Sequence, residues 1–328
     1  RNPQTQAQIL RDLVDVRSAL LAAEYDIPAF LLSAIDRAAP FLRMLRHNDG
    51  CLALFNGSGE SEDWLIDMLL AQADARGRAP TSAPHSGFER IVANRTVALI
   101  DTGTPPQAGL DIEAHAGTLS LEVSVGKERI ITNCGARPGN REPWATVQRS
   151  SAAHSTMIVD DTNSSEILSD STFGRRPKDV RIERSEDDGN VWGSAHHDGY
   201  AAAFGLVHER RIYMAVDGDD IRGEDLLKRV ESADKVRRAT GFALRFHLHP
   251  AVRASLVQNG SSVLLRLPSG AGWRLITEGD TVSLAESIYL GESEEVRRSE
   301  QIVISGALKG GTVAARVKWA LKWVPKKN

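Results

Sequence analysis

The spacing of apolar residues changes once along the chain, and this change constrains the fold more than any other feature. Before residue 77, apolar residues recur every three or four positions, as in Leu10, Leu13 and Leu20, which is typical of amphipathic helices. After residue 88, apolar and polar residues alternate in short runs that end at Gly, Asp or Asn, which is typical of antiparallel strands. Between them, residues 77–87 read GRAPTSAPHSG, a Pro- and Gly-rich stretch that predicts a domain boundary.

We therefore predict an α+β multidomain chain, with helices over residues 1–80 and a large antiparallel β-sandwich over residues 88–328. Pro40 should kink or split the second helix. Residues 317–328 combine two tryptophans with four lysines and are predicted to form an edge strand with a solvated basic tail. The three helices are predicted over residues 5–24, from Asp26 through the apolar face that ends at Leu45, and over residues 61–75.

The composition limits the classes of function. Because 40 Lys and Arg face 43 Asp and Glu, the net charge is −3, and nucleic acid is not expected as a partner. No run of about 18 apolar residues predicts a transmembrane segment. Cys51 and Cys134 are expected to be free buried thiols, with a single cross-link as the alternative. Since the chain begins at Arg1 rather than at methionine, we expect a fragment or a processed product.

The stretch from Asp111 to Asp161 holds the polar residues that most suggest a site. His115, Asn133 and His154 each lie at the end of a predicted strand, so we expect them to converge at one rim of the sheet. Two imidazoles and an amide at such a rim indicate either metal or substrate contact, or a hydrogen-bonded group of core histidines. The three predicted strands cover residues 118–125, 129–132 and 154–159.

This stretch resembles the C-terminal sheet domain of the heparinase II/III family of polysaccharide lyases. That domain carries a His-x-His-x-Asp run before a Leu-Ser strand, then an Asp-Pro-Gly-like strand end, then a His-Asn-Thr run. The resemblance spans most of the chain and implies the last helices of an α/α toroid, truncated at the front, followed by a β-sandwich. It also suggests a bacterial, periplasmic protein. The matching residues here are Glu113, His115 and Gly117 before Leu119-Ser120, then Asn133-Cys134-Gly135, then His154-Ser155-Thr156.

The resemblance implies β-elimination on an acidic, uronate-containing polysaccharide or oligosaccharide. This reaction needs a group that neutralises the substrate carboxylate, a base and an acid. The catalytic candidates are Glu113, His154, Asn2 and Tyr200. Zinc is implied at His115, Asn133 and His154, and no organic cofactor is implied. Substrate contacts are expected from His197 and, through their planar guanidinium groups, from Arg175 and Arg210.

Two departures from the family pattern leave other functions open. Glu113 stands where the family has a histidine at the substrate carboxylate, and Phe55 falls near the family tyrosine. These changes favour a non-catalytic glycan-binding protein of the same fold as the alternative. A hydrolase that pairs Glu113 with Asp160 or Asp161 is a third option. The remaining candidates for a proton donor in the helical part are Tyr25, His47 and Ser58.

Overall fold

The computed structural model describes residues 1–137, 144–230, 236–278, 281–292 and 296–325. Three helices come first along the chain, and two antiparallel sheets follow. The helices are α1 Pro3–Ala22, α2 Ala29–Met44 and α3 Asp63–Ala73, with two single-turn helices, α4 Trp144–Val147 and α5 Ala201–Phe204. The strands are β1 Ser82–Ala83, β2 Phe88–Ala93, β3 Thr96–Asp101, β4 Leu121–Val125, β5 Glu128–Thr132, β6 Met157–Val159, β7 Val180–Asp187, β8 Asn190–His197, β9 Leu206–Met214, β10 Asp220–Arg229, β11 Gly241–Leu248, β12 Arg253–Val257, β13 Ser262–Arg266, β14 Gly272–Thr277, β15 Thr281–Tyr289, β16 Arg297–Ala307 and β17 Val313–Val324.

Local sequence signals explain where the helices begin. The Oδ1 atom of Asn2 accepts the backbone N–H groups of Gln4 at 2.8 Å and Thr5 at 3.2 Å, which caps α1, and Pro3 occupies its first position. Pro40 was expected to kink or split α2, and the helix does not split there, because it continues to Met44. Buried residues on both sides of Pro40 hold this helix against its neighbours and offset the lost backbone hydrogen bond.

The strands form two sheets in the described part of the chain. The nine-stranded sheet has the order β1-β2-β3-β4-β5-β11-β16-β15, with β6 also paired to β11. The eight-stranded sheet has the order β12-β13-β14-β17-β10-β9-β8-β7. The expectation that the last strand is an edge strand is wrong, since β17 lies between β14 and β10. Its alternate residues Val317, Trp319 and Leu321 are buried in the core, so the strand needs a partner on each side.

The main hydrophobic core lies between the two sheets. It joins side chains from both, among them Leu121 and Phe246 from one sheet and Trp273 and Trp319 from the other. A second cluster packs the helical segment on the first sheet, where the ring of Phe55 lies 5.3 Å from that of Phe88. The antiparallel sandwich is therefore present as predicted, while the assignment of the three helices to a toroid and the domain boundaries stay predictions.

A buried carboxylate also ties the helical segment to the sheet. Glu122 in β4 accepts a hydrogen bond from the backbone N–H of Leu54 at 3.2 Å and contacts the Nε2 atom of His47 at 2.9 Å. Within the sheet it accepts both the backbone N–H and the side-chain N–H of Asn133. The contact with His47, the nearby positive charge of Arg129 and the backbone N–H of Asn133 hold the pKa of Glu122 below its usual value despite full burial. Within the described residues, no helix combines the length and the apolar character that a membrane span requires.

Candidate functional site

A polar cleft lies between the start of α1 and the loops at one rim of the nine-stranded sheet. Its volume is about 320 Å³. Asn2 enters it from the helix cap, and His115 enters it from the loop before β4. The described lining residues are Asn2, Gln4, Thr5, Gln8, Gly57, Glu113, His115, Ala136, Arg137, Gln148 and Arg149.

Two histidines meet at the inner wall of this cleft. The Nδ1 atom of His115 lies 3.1 Å from the Nε2 atom of His154, and the two rings are nearly perpendicular. On its far side, the Nδ1 atom of His154 lies 2.7 Å from the carbonyl oxygen of Ser150. Gly117 makes room for this arrangement, since a Cβ atom there would lie 2.5 Å from the His154 ring. His154 thus sits behind His115, and the glycine permits their contact.

This geometry fixes which ring nitrogens carry protons when both histidines are neutral. The Ser150 carbonyl can only accept, so Nδ1 of His154 is the donor and its Nε2 is an acceptor. Nδ1 of His115 then donates to His154, which leaves Nε2 of His115 without a proton. Burial, His154 and Arg149 hold the pKa of His115 well below its usual value, so the ring stays neutral at physiological pH. His115 therefore offers a lone pair at the cleft.

Gly57 keeps a small space open in front of that lone pair. Its φ of +82° belongs to the left-handed region that favours glycine. A Cβ atom at this position would lie 3.6 Å from Nε2 of His115 and 3.3 Å from Nδ2 of Asn2. Since the side-chain oxygen of Asn2 caps α1, its amide nitrogen is the group directed to this space. An amide donor and an imidazole acceptor thus converge on one point.

The charged residues of the cleft favour an anionic ligand. The charged side chains among the described lining residues are Arg137, Arg149 and Glu113. Arg149 is buried and donates from Nε to the carbonyl of Ala114 at 2.8 Å and from Nη2 to that of Asp111 at 3.0 Å. These bonds hold its positive charge beside His115. Glu113, in contrast, is exposed at the mouth of the cleft.

Most of the chain matches a known protein family. The model of the heparinase II/III-like C-terminal domain matches residues 75–320. The chain belongs to the heparinase II/III-like family. Its helical segment before residue 75 lies outside that match.

Several solved heparinase structures and one relative in sequence are similar over nearly the whole chain. FtsZ-localized protein C of Caulobacter vibrioides is 34% identical and matches 98% of this chain and 57% of its own length. Heparan sulfate lyase HepC of Pedobacter heparinus superposes with a TM-score of 0.75 at 12% identity, over 99% of this chain and 52% of its own. A heparinase III structure gives 0.75 at 13% identity, over 99% and 53%. The chain thus spans little more than half the length of these relatives, and the structural likeness establishes the fold alone.

The zinc ligands that the heparinase II/III resemblance implies are only partly brought together. His115 and His154 meet, but Asn133 uses both atoms of its amide elsewhere. Its oxygen accepts the Ser155 N–H at 2.9 Å, and its nitrogen donates to Glu122 at 3.1 Å. In the described chain, no group of three His, Cys, Asp or Glu side chains is arranged to hold a metal. As placed, these donors do not fit a zinc site.

Three further candidates lie inside the heparinase II/III-like sandwich rather than at the cleft. Tyr200, His197 and Arg210 are each buried to within 1% exposure. The Tyr200 hydroxyl donates to the carbonyl of Met157 at 2.8 Å. A substrate in the cleft does not reach any of them, so the predicted catalytic role of Tyr200 and the predicted contacts of His197 and Arg210 are replaced by structural roles.

His197 and Arg210 belong to one buried polar cluster built around Asp225. The Oδ1 atom of Asp225 accepts from Nε of Arg210 at 2.8 Å and contacts Nε2 of His208 at 2.8 Å. His208 in turn contacts His197 at 3.3 Å, and Trp319 donates to Oδ2 at 2.9 Å. Arg210 and His208 lower the pKa of Asp225 to about 2, against the effect of burial. Arg210 also donates to the carbonyls of Leu119 at 2.6 Å and Ser155 at 2.9 Å. These two hydrogen bonds connect the eight-stranded sheet to the strand ends behind the cleft.

The other candidates also lie away from the cleft lining. Arg175 donates to the backbone carbonyls of Asn163 at 2.6 Å and Ser164 at 3.0 Å, so it braces a loop. Asp160 accepts the N–H of Gly241 at 2.8 Å at the start of β11 and does not pair with Glu113. Phe55 is buried, and the alternative donors are elsewhere: His47 is held by Glu122, Ser58 donates to a neighbouring carbonyl, and Tyr25 is exposed outside the cleft.

The residues that sequence reasoning missed are Gly57 and Arg149. Gly57 is not among the predicted site residues, although the Asn56-Gly57 pair is a recognisable signal for a left-handed turn. Arg149 precedes a serine-rich run and carries no signal of burial in its sequence context. Their approach to His115 follows from the packing of the helical segment on the sheet, which local patterns do not specify.

Proposed function

We propose that the chain is the part of a polysaccharide lyase that holds an acidic, uronate-containing glycan and cleaves it by β-elimination. The observation that carries this proposal is the convergence of Asn2 Nδ2 and His115 Nε2 on the space at Gly57. A donor for the substrate carboxylate and a base for the neighbouring carbon proton are two of the three groups that the reaction needs.

In the proposed complex, the substrate carboxylate lies against the amide nitrogen of Asn2 and within the positive field of Arg149. Neutralisation of this carboxylate makes the proton on the adjacent carbon more acidic. An oligosaccharide that carries a carboxylate therefore suits the cleft better than a neutral one.

The unprotonated Nε2 atom of His115 then takes the proton from that carbon. The electron pair of the C–H bond forms a C=C double bond, and the bond from the next ring carbon to the linking oxygen breaks. If the linking oxygen lies on the same ring face as the proton, His115 returns the proton to it, and no separate acid is required. This route accounts for a cleft in which no tyrosine is among the described lining residues.

The experiment is an assay of the protein in its full length with heparan sulfate, chondroitin sulfate, hyaluronan and alginate. The ultraviolet absorbance of the unsaturated product reports elimination directly. His115→Ala should lower the rate by about 100-fold or more, the scale of a lost general base. His85→Ala, which changes an exposed histidine outside the cleft, is the matched control and should leave the rate unchanged. Equal rates in all three proteins would contradict the role of His115.

A glycan-binding protein that does not cleave is the second candidate. The burial of Phe55 against Phe88 and the exposed Glu113 at the cleft mouth favour it, because neither residue can take the role of its family counterpart. Such a protein would retain a glycan or another cell-envelope partner in the same cleft. Binding of an acidic oligosaccharide that depends on Asn2 and Arg149, without any unsaturated or reducing-end product, would select this function over the lyase.

A further inference from the structure

The outer face of the eight-stranded sheet carries a groove of about 720 Å³. It shares no lining residue with the cleft at His115. Six neighbouring strands, from β7 to β14, contribute to it, so at about 4.8 Å per strand it runs for about 24 Å across the sheet. Such a groove matches an elongated ligand rather than a single small molecule.

One wall of the groove is a row of mostly apolar side chains in direct cross-strand register, interrupted by Arg222. The rings of Trp192 and Tyr213 are 5.2 Å apart, and the guanidinium of Arg222 lies 5.6 Å from the Tyr213 ring. Trp192 is 39% exposed and Ile276 is 36% exposed, although both are large apolar side chains. The row continues through Ala320, and its register is Trp192 with Tyr213, Tyr213 with Arg222, Arg222 with Ala320, and Ala320 with Ile276.

The opposite wall is a row of polar and charged side chains two residues further along each strand. Its register runs from Glu183 through Ser194, Arg211 and Glu224 to Lys318. The four cations that line the groove are paired with carboxylates: Arg184 with Glu89 at 3.5 Å and with Glu186, Arg211 with Glu224 at 3.0 Å, Lys318 with Glu278 at 3.3 Å and Arg222 with Asp220 at 2.6 Å.

The floor between these two rows consists of residues whose side chains point into the protein. It includes Gly193, Ile212, Gly223 and Trp319, which occupy one register line. A Cβ atom at Gly223 would lie 2.1 Å from the Trp319 ring, so glycine is required for the indole to pass beneath it. Because these side chains point inward, only the backbone separates the two walls at the floor of the groove.

We propose that this groove is a second glycan site, which binds an uncharged polysaccharide segment lying across the strands. Trp192 and Tyr213 offer flat faces on which sugar rings stack, and the paired side chains of the opposite wall offer directional donors and acceptors to hydroxyl groups. Because each lining cation is already neutralised, the groove provides no excess positive field for a sulfated or uronate chain. The centre of a protein interface is depleted in charged residues, whereas four of the five side chains of one wall are charged here.

The test measures binding of cellohexaose, mannohexaose and chitohexaose to the full-length protein by titration calorimetry and tryptophan fluorescence. Trp192→Ala should weaken the binding of the preferred hexasaccharide by about tenfold or more, as expected for the loss of one stacking platform. Trp323→Ala removes an exposed tryptophan of the same sheet that does not line the groove, and it should leave the affinity unchanged. Ala320→Arg, which fills the groove and keeps both aromatic rings, should abolish binding.

Several results would overturn the proposal. These are the failure of all three hexasaccharides to bind, binding that survives both Trp192→Ala and Ala320→Arg, and a preference for sulfated hexasaccharides that depends on Trp192. Sedimentation velocity provides the remaining control. Self-association that is lost in Trp192→Ala would show that a second copy of this chain covers the groove instead. None of these outcomes depends on His115, so the lyase proposal and this one fail separately.

Discussion

His115 and His154 form a proton-ordered pair, with 3.1 Å between Nδ1 of the first and Nε2 of the second. The carbonyl of Ser150 sets this order, because it accepts a hydrogen bond from Nδ1 of His154. These two hydrogen bonds leave the lone pair of His115 directed toward the cleft. The sequence had suggested His154 as a catalytic group and both histidines, with Asn133, as metal ligands.

His154 should act as a positioning residue. In His154→Phe the His115 ring loses its acceptor and can rotate, so we expect the turnover rate on a uronate polymer to fall by about 100-fold with little change in KM. His154→Gln, whose side-chain oxygen can accept from His115, should restore part of the rate. A parallel loss of kcat and thermal stability in both variants would instead indicate a role in folding alone.

Gly57 should be required for activity more than for folding. Gly57→Ala places a methyl group 3.6 Å from Nε2 of His115 and should abolish ligand binding in the cleft. The positive φ adds a stability cost of about 1–2 kcal/mol. Gly109→Ala is the matched control, because Gly109 also has a positive φ, +87°, but a Cβ atom added there would have no other atom within 4 Å. If both variants lose activity equally, backbone strain rather than occlusion is the cause.

Asp225 should be a major determinant of stability. Asp225→Asn removes the charge that Arg210 and His208 contact inside the protein, and we expect it to lower the free energy of unfolding by about 3–5 kcal/mol. Asp220→Asn alters a pair at the surface with Arg222 and should cost about 0–1 kcal/mol. Urea unfolding of both variants measures the difference. A loss below that of Asp220→Asn would contradict the central role of the cluster.

The buried histidines predict that stability decreases in acid. Burial and neighbouring positive groups hold the pKa values of His115 and His197 well below their usual value. The unfolded chain therefore binds protons that the folded chain excludes once the pH falls below about 6.5, and the free energy of unfolding should decrease from there. Asp225, with its pKa lowered to about 2, stays charged over this range. Urea unfolding at pH 7.5 and 5.5 tests this, and equal values would contradict it.

Metal analysis should find no stoichiometric zinc at the histidine pair. The reason is the commitment of both amide atoms of Asn133 to Ser155 and Glu122. Wild type, His115→Ala and His154→Ala should therefore carry the same low zinc content after dialysis. One zinc ion per chain that is lost in both variants would show that Asn133 changes partners to complete a metal site.

Much of the fold was accessible from the sequence because period-2 alternation is a local property. The runs that became β4, β5 and β6 were predicted to within about three residues. The position of β17 was not accessible, since alternation shows which side chains share a face but not which strands lie beside them. Its lysines suggested an edge, while Trp319 on the other face packs in the core.

The site was accessible only where strand ends meet. His115 and His154 converge because neighbouring strands bring their ends together, as expected. The burial of Tyr200 and Arg210 depends on the second sheet covering the first, and the contribution of Gly57 depends on a backbone angle and on α1. Such long-range packing leaves no trace in the local pattern around those residues.

The chain of contacts behind His115 ends at the Ser150 carbonyl, a dipole without net charge. An imidazolium formed on this chain gains no ionic partner behind it, unlike one that is backed by a carboxylate. In the proposed elimination, His115 would therefore hold the captured proton only briefly. Such a cleft would suit a substrate whose leaving oxygen takes the proton from His115 before the products dissociate. The turnover rate would then depend little on the buffer concentration.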